Sequence, residues 1–220
     1  MKAEIKGGSA FSYLDIELDA GEQITAESDA MSSMSAELDM ATRPNGSVFT
    51  ALLKKLLGGE TFFINRFTNN TSGPCKITLV QPTPGEIRCV ELNGDSLCLQ
   101  PGAFMAATDG VTLGLRWAGL TSWIAREGLF KLVVSGNGKV WYGAYGALLE
   151  REVDGEFIVD TSHLVSYDPS LKLKLQLAGG LFSSFFGGEG LVTRVEGKGK
   201  IVIQTRSVSG LVSWINPKLY

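Results

Sequence analysis

Few residues in this sequence have the chemistry of a catalytic site. His163 is the only histidine, and Asp160, Ser162 and Ser166 are the nearest candidate partners for a nucleophilic triad. Neighbours along a strand alternate between its two faces, so these four residues cannot build a triad alone. We interpret His163 as a structural or surface residue. The sequence therefore predicts that the protein is not an enzyme and uses no cofactor.

Three glutamates recur along the chain. Glu60, Glu127 and Glu189 follow one another at intervals of 67 and 62 residues. Carboxylates related by a threefold axis could bind a metal ion through their oxygens. They could equally accept hydrogen bonds from backbone amides at the start of the next strand. Because each unit would then need its own glutamate, we favour the structural interpretation and expect no metal site.

Two glycine-rich stretches resemble phosphate-binding loops: GNGK at residues 136–139 and GKGK at residues 197–200. A P-loop needs four residues between its glycines, then Lys-Ser or Lys-Thr, and it opens a helix. Here residues typical of strands follow instead. Glycine and asparagine accept positive φ, so both stretches are predicted to be tight hairpin turns, within residues 131–142 and 194–203.

The composition is that of a reduced, cytoplasmic protein. Cys75, Cys89 and Cys98 are odd in number and show no C-x-x-C spacing, so we expect three free thiols. The N-terminus leads into no apolar segment of the kind found in a signal peptide. The most apolar stretches, such as residues 48–57, are about half the ~20 residues that a membrane span needs.

The charge is unevenly distributed. The net charge is −3, which gives no basic field for nucleic acid and makes it an unlikely partner. Residues 1–42 carry two lysines and nine acidic residues, whereas residues 169–220 carry seven basic and two acidic residues. The two ends could attract each other within one chain or between chains, or they could be solvated faces that never meet. We predict a homo-oligomer with head-to-tail contacts, and a trimer as the best single guess.

The same marks recur three times. Each repeated glutamate is followed by a strand-like run and a turn, then by a lysine that begins another strand. These lysines are Lys76, Lys139 and Lys200, at intervals of 63 and 61 residues. Two marks in the same order at nearly equal spacing indicate an internal threefold repeat.

The periodicity within each unit is that of β-strands. Residues 171–177 alternate strictly between apolar and polar, as a strand with one buried face does. Five or six short strands per unit, with turns every ~8–12 residues, are typical of sandwiches and barrels. We predict an all-β fold of three tandem sandwich- or barrel-like units, residues 1–80, 81–146 and 147–220, packed about a pseudo-threefold axis.

One short apolar segment interrupts the β pattern in each unit, just before the repeated glutamate. The segments are residues 47–57, 117–124 and 181–186, and the first has helical spacing. A threefold axis would bring them to one face, as core lids or as a surface for a partner chain, a protein or a membrane. This tentative partner or oligomer face comprises Phe49, Leu52, Leu53, Leu56, Trp117, Trp123, Leu181, Phe182, Phe185 and Phe186.

Several of these motifs resemble the altered-inheritance-of-mitochondria protein 24 family. They are GGE at residues 58–60, EGL at 127–129, the Gly-x-Gly-Lys stretches, VDTSHLV at 159–165 and QT at 204–205. The resemblance spans nearly the whole chain and implies three tandem β units, each similar to the trp RNA-binding attenuation protein. It also implies a conserved bacterial protein of unknown function, with a eukaryotic relative tied to the mitochondrial inner membrane. It supplies no catalytic motif.

Two classes of function follow from these observations. The first is a non-enzymatic scaffold or assembly protein, adjacent to a membrane, that acts through the apolar insertions. The alternative is a small-molecule or RNA-binding module that uses clefts between the β units. An argument from fold to RNA binding is weak on its own, and the overall acidity opposes it.

Overall fold

The computed structural model describes residues 1–44, 63–100, 102–117, 130–177 and 191–219. The described chain is predominantly β with one short helix, so the all-β prediction is confirmed. The strands are β1 Lys2–Lys6, β2 Tyr13–Leu18, β3 Gln23–Glu27, β4 Met31–Met34, β5 Asp39–Pro44, β6 Phe63–Thr68, β7 Cys75–Val80, β8 Ile87–Leu99, β9 Phe104–Thr108, β10 Val111–Trp117, β11 Phe130–Gly143, β12 Leu148–Asp160, β13 Leu164–Tyr167, β14 Lys172–Leu177 and β15 Leu191–Gln204. Helix α1 is Val208–Ile215, and single 3-10 turns lie at Thr161–His163 and Asn216–Lys218.

The strands form two sheets in which every ladder is antiparallel. A four-stranded sheet has the order β1-β2-β7-β4. An eleven-stranded sheet follows the order β12-β15-β13-β8-β11-β9-β3-β6-β5, with β10 added on β11 and β14 on β15. Neither sheet closes into a barrel among the described strands.

The same pairing scheme occurs three times along the chain. In residues 87–143, β8, β9 and β10 all pair with β11; in residues 148–204, β12, β13 and β14 all pair with β15. In residues 13–80 the first and last strands are each broken in two, so β2 and β4 pair with β7 while β3 and β5 pair with β6. Among the described residues, the second and third segments thus hold four strands each, fewer than the five or six predicted.

The predicted hairpins at residues 136–139 and 197–200 are wrong. Strand β11 runs straight through Gly136 and Gly138, and β15 runs through Gly197, although all three have positive φ values of 118°, 149° and 125°. Gly155 on β12 also has positive φ and lies directly opposite Gly197. Glycine at positive φ lies here within a continuous strand that keeps its ladders to neighbouring strands, and it does not reverse the chain.

The three repeated lysines make the same hydrogen bond. Each donates its backbone amide to a side-chain oxygen at or just after the end of the second strand of its segment: Lys76 to Ser35 Oγ at 2.9 Å, Lys139 to Thr108 Oγ1 at 2.9 Å and Lys200 to Asp168 Oδ2 at 2.6 Å. The acceptor residues differ in type, which is why the sequence did not reveal them. All three accept one hydrogen bond from a backbone amide, so their shared chemistry is an oxygen on a short side chain.

The apolar positions of the strands form the core. Leu14, Ile16 and Leu18 on β2 are fully buried and pack with Ile77 and Leu79 on β7. The alternation predicted for residues 171–177 is observed over residues 171–175, because β14 exposes its lysines while Leu173 and Leu175 are half-buried; Gln176 is half-buried as well. The boundaries 1–80, 81–146 and 147–220 stay a prediction.

Candidate interaction surfaces

The predicted partner face lies outside the described residues. Trp117 ends β10, but its side chain is not described. The other nine residues of the face fall in the gaps of the description: Phe49, Leu52, Leu53, Leu56, Trp123, Leu181, Phe182, Phe185 and Phe186. Glu60, Glu127 and Glu189 fall there too. A face built from the apolar insertions therefore stays a prediction.

His163 has a structural hydrogen bond. Its Nδ1 lies 2.6 Å from the backbone oxygen of Gln204, which can only accept, so Nδ1 carries the proton. Ser162 donates its amide and its hydroxyl to Asp160 Oδ1 at 2.8 and 2.6 Å, which caps the 3-10 turn. The serine hydroxyl is thus directed to Asp160 and not to the histidine. The three residues form a turn and not a nucleophilic triad.

Strand β12 has a free edge among the described strands. It pairs with β15 alone, whereas β8 pairs with both β11 and β13. Ile158 on β12 is 54% exposed, and its neighbour Phe157 is also exposed. Unpaired edges with exposed apolar side chains are sites where another strand can add.

Strand β4 presents a second free edge. Its only described partner is β7, and its Ser32 and Ser33 are exposed. The corresponding strands β9 and β13 are almost entirely buried, because each is flanked by two partners. The first and third segments therefore each expose one edge whose counterpart elsewhere in the chain is covered.

Helix α1 exposes apolar side chains to solvent. None of its residues is buried, and Val208, Leu211, Val212 and Trp214 are exposed, Trp214 by 63%. Ser207 caps the helix by accepting from the amide of Gly210 at 3.1 Å. This helix was not predicted from the sequence. The signals were present as a serine cap followed by apolar residues at positions i, i+3, i+4 and i+7.

The C-terminal segment is cationic as well as apolar. No acidic residue follows Glu196 in the sequence, whereas Arg206 and Lys218 flank the helix. Lys218 Nζ donates to the Trp214 carbonyl at 2.8 Å and lies 4.2 Å from the centre of the Trp214 ring. This segment thus combines exposed apolar side chains with two basic residues and no acidic side chain.

Four other basic residues of the C-terminal third pair locally. The cations of β14 and β15 contact carboxylates of β12 and β15: Lys200–Glu150 at 2.9 Å, Lys174–Glu196 at 2.7 Å, Arg194–Glu156 at 3.1 Å and Lys198–Asp154 at 3.4 Å. The hydrogen bond from Lys200 is the main cause that holds the pKa of Glu150 below its usual range. The hydrogen bond from Lys174 does the same for Glu196. Within the described residues, no ion pair joins residues 169–220 to the acidic residues 1–42.

A groove lies beside the first segment. It measures about 460 Å³ and is lined by Phe11, Tyr13, Val80, Pro82 and Pro84, among others. Phe11 is 72% exposed at its rim. Its lining combines aromatic rings and prolines with the hydroxyls of Ser12, Ser32 and Thr78.

The described part of the chain contains neither a cluster of metal ligands nor a membrane-spanning helix. No group of three or more His, Cys, Asp or Glu side chains there is arranged to hold a metal ion. No helix among those residues is long and apolar enough to cross a membrane. Cys75 and Cys98 are free and buried, and Cys89 is free and exposed.

Comparison with known proteins gives a consistent result. The sequence model of the family described as mitochondrial biogenesis AIM24 matches residues 3–206. An uncharacterized protein of Streptococcus pyogenes serotype M6, M6_Spy0233, is 24% identical over 214 residues, which cover 93% of this chain and 86% of that protein. The crystal structure of protein SPYM3_0169 from Streptococcus pyogenes is similar, with a TM-score of 0.81, 24% identity and 99% of both chains covered.

Proposed function

This chain belongs to the mitochondrial biogenesis AIM24 family, and on that premise we propose that it is a non-enzymatic scaffold that assembles with itself against a membrane surface. The observation that carries the proposal is helix α1, which exposes Val212 and Trp214 in a segment free of acidic residues. The predicted cytoplasmic location is part of the proposal.

The architecture we propose is three β units, each similar to the trp RNA-binding attenuation protein, that repeat about a pseudo-threefold axis as an open series, because among the described strands the third unit does not pair with the first. Support comes from the pairing scheme, which recurs in residues 13–80, 87–143 and 148–204. It also comes from the hydrogen bond that the backbone amide of each repeated lysine donates to a side-chain oxygen. Units that share one pattern can extend it from chain to chain, so we propose a homo-oligomer, with a trimer as the expected state.

The occupant we propose for α1 is a bilayer that contains anionic lipids. Apolar helices that lie in the membrane interface place Trp and Leu at the boundary of the acyl chains, with Lys and Arg at the headgroups. Trp214 and Leu211 supply the first set, while Arg206 and Lys218 supply the second. Each cation near an anionic surface contributes ~1 kcal/mol, an attraction that salt weakens.

Co-sedimentation with vesicles tests this proposal. The protein should bind vesicles of phosphatidylcholine and phosphatidylglycerol, bind them less in 1 M salt, and lose binding in Trp214→Glu. Lys218→Glu should weaken binding more than Lys172→Glu, which makes the same charge change on exposed β14. Equal binding by all variants, or no binding at low salt, would contradict a membrane role for α1.

The groove beside the first segment favours a second candidate function, a small-molecule binding module. Phe11 and Tyr13 line it together with Pro82 and Pro84. Native mass spectrometry of the purified protein would show a co-purified mass. That mass should be absent from Tyr13→Ala and retained in Trp214→Glu if the groove is the binding site.

A further inference from the structure

We propose that the free edge of β12 in one copy pairs antiparallel with the free edge of β4 in a second copy, with Ile158 opposite Met34 and Val159 opposite Ser33. The inference rests on the proposed self-assembly and names the surface that performs it. It comes from two pairings that the chain already makes between its own segments.

The first of these pairings joins β3 to β9. Thr25 lies opposite Ala107 and Ala26 opposite Ala106. The second joins β8 to β13, with Cys98 opposite Tyr167 and Leu99 opposite Ser166. In both cases the first strand of one segment pairs with the second strand of the next segment. β12 is the corresponding first strand of the third segment, and β4 is the second strand of the first.

The register follows from the strand that closes each segment. On the closing strand, residue Val133 of β11 is opposite Cys98, and Arg194 of β15 is opposite Ile158. These closing residues are 61 positions apart, as are Lys139 and Lys200. Ile158 therefore occupies on β12 the place that Cys98 has on β8.

The second strands align by a shared irregularity. β4, β9 and β13 each shift register by one residue against the closing strand, after Met31, Phe104 and Leu164 respectively. Counting from this shift, Met34 takes the place of Ala107 and Tyr167, and Ser33 takes the place of Ala106 and Ser166. This alignment sets the proposed register without any free choice.

Burial shows which of these places lacks a partner. Cys98 is 4% exposed and Thr25 is 9% exposed, whereas Ile158 is 54% exposed. On the other side Ser166 is buried, whereas Ser33 is exposed. Pairing β12 with β4 would bury an exposed Ile158 against Met34, as Cys98 is buried against Tyr167.

A second copy is the occupant because the chain does not pair these edges itself. β12 and β4 lie in different sheets, and neither has a second partner among the described strands. A contact between unlike surfaces on two copies forms a ring when the rotation closes, and otherwise a filament. Such a contact also removes two exposed edges that would invite aggregation.

Cross-linking between two differently tagged chains tests the register. Both chains carry Cys89→Ser, because Cys89 is the exposed native thiol. One chain carries Ile158→Cys and the other Met34→Cys, and they are co-expressed, oxidised and purified through both tags. Directly opposite residues have Cα atoms ~4.5–5.5 Å apart, within the range of a disulfide. We expect a disulfide-linked heterodimer that disappears on reduction.

Ser33→Cys is the matched control for Met34→Cys. A neighbouring residue on a strand points to the opposite face, so the Ser33 pair should cross-link at least about fivefold less. In addition, Ile158→Lys should lower the oligomeric state measured by light scattering. Val208→Lys replaces an equally exposed apolar residue on α1, 53% against 54%, and should leave that state unchanged.

Each result has a distinct meaning. If the protein is oligomeric but the Ile158 and Met34 thiols fail to cross-link, the proposed edge contact is overturned while self-assembly stands. If Ile158→Cys and Met34→Cys in one chain form a disulfide within the monomer, the second copy is overturned as the occupant. If the unmodified protein is monomeric at every concentration, both the edge contact and the assembly function are overturned.

Discussion

Lys200 donates to Glu150 Oε1 at 2.9 Å across the β12–β15 ladder. Arg88 on β8 lies 3.4 Å from the other carboxylate oxygen and donates to the carbonyl of Leu148 at the same distance. One carboxylate therefore links the third segment to the second. The hydrogen bond from Lys200 is the main cause that holds the pKa of Glu150 below its usual range, and desolvation of the carboxylate opposes it.

Glu150→Gln should destabilise the protein slightly at pH 7 and not at all at low pH. Because the folded pKa is lowered, the contribution is present above the unfolded pKa of ~4.3 and is lost as the pH falls through the folded pKa. The loss at pH 7 should be less than about 1 kcal/mol, since exposed ion pairs are screened. Urea denaturation at pH 7 and pH 3 measures it, with exposed Glu91→Gln as the control. An equal loss at both pH values would contradict this account.

Asn69→Ala should destabilise the first segment strongly. The Asn69 side chain is fully buried and donates to the carbonyls of Leu18 and Gly73, both at 2.8 Å. Its Oδ1 accepts from the amide and the hydroxyl of Thr71 at 2.9 and 2.8 Å. Truncation removes the hydrogen bond of the buried Leu18 carbonyl, at about 1–3 kcal/mol, and those of the half-buried Gly73 and Thr71 groups, which cost less because water can reach them.

The next residue provides a matched control for that change. Asn70 is exposed and bonds to Asp39 at the surface. Asn70→Ala should change the free energy of unfolding by no more than about 0.5 kcal/mol. Thermal and urea unfolding of both variants separates the two cases. Equal effects would mean that the buried hydrogen bonds of Asn69 do not hold the loop between β6 and β7.

The features that were predicted correctly from the sequence are those that depend on the residue pattern within a single strand. Alternation along residues 171–177 predicts which side chains face the core, and the burial of residues 171–175 agrees with it. The spacing of Lys76, Lys139 and Lys200 reports a repeated position, and all three lysines make the same backbone hydrogen bond. Both signals are local, so they can be read without knowing which strands pair.

The predictions that failed depend on information that is not local. A glycine at positive φ occurs both in hairpin turns and within strands, so Gly136 and Gly197 could not distinguish the two. The partner strand decides: Gly155, which also has positive φ, lies opposite Gly197 within the β12–β15 ladder. The free edges of β12 and β4 could not be predicted from the sequence either, because whether a strand lies at an edge depends on which other strands pair with it.

Gly85→Ala should disrupt the contact between two connections of the chain. One is the connection from β7 to β8, which joins the first two segments, and the other is the connection from β11 to β12, which leads into the third. A Cβ added to buried Gly85 would lie 2.0 Å from the Ala144 carbonyl oxygen and 2.6 Å from the Gly146 amide. Both atoms belong to the backbone, and the Gly85 carbonyl also accepts from the Ser12 amide at 3.1 Å. We expect a loss of about 3 kcal/mol or more. Gly73→Ala is the control, because a Cβ there meets nothing within 4 Å, and urea unfolding should show it near neutral.

Gln204→Leu should uncouple the third segment from the chain that leads into it. Gln204 Oε1 accepts from the amide of Tyr145 at 2.9 Å, and its Nε2 donates to the Ser162 carbonyl at 2.9 Å. Thr205 adds a hydrogen bond to the same connection, since its Oγ1 accepts from the amide of Ala147 at 2.9 Å. The Gln-Thr pair therefore holds the connection between β11 and β12 in place.

The expected loss for Gln204→Leu is about 1–3 kcal/mol, because the leucine leaves the Tyr145 amide and the Ser162 carbonyl without their partners. Thr205→Val should cost less, since Thr205 is exposed and water can replace its hydroxyl. Half-buried Gln176→Leu on β14 is the control for the change of side chain. Hydrogen exchange should show faster exchange of the Tyr145 amide in Gln204→Leu and not in Gln176→Leu. Unchanged protection of that amide would show that the connection is held by the strand ladder alone.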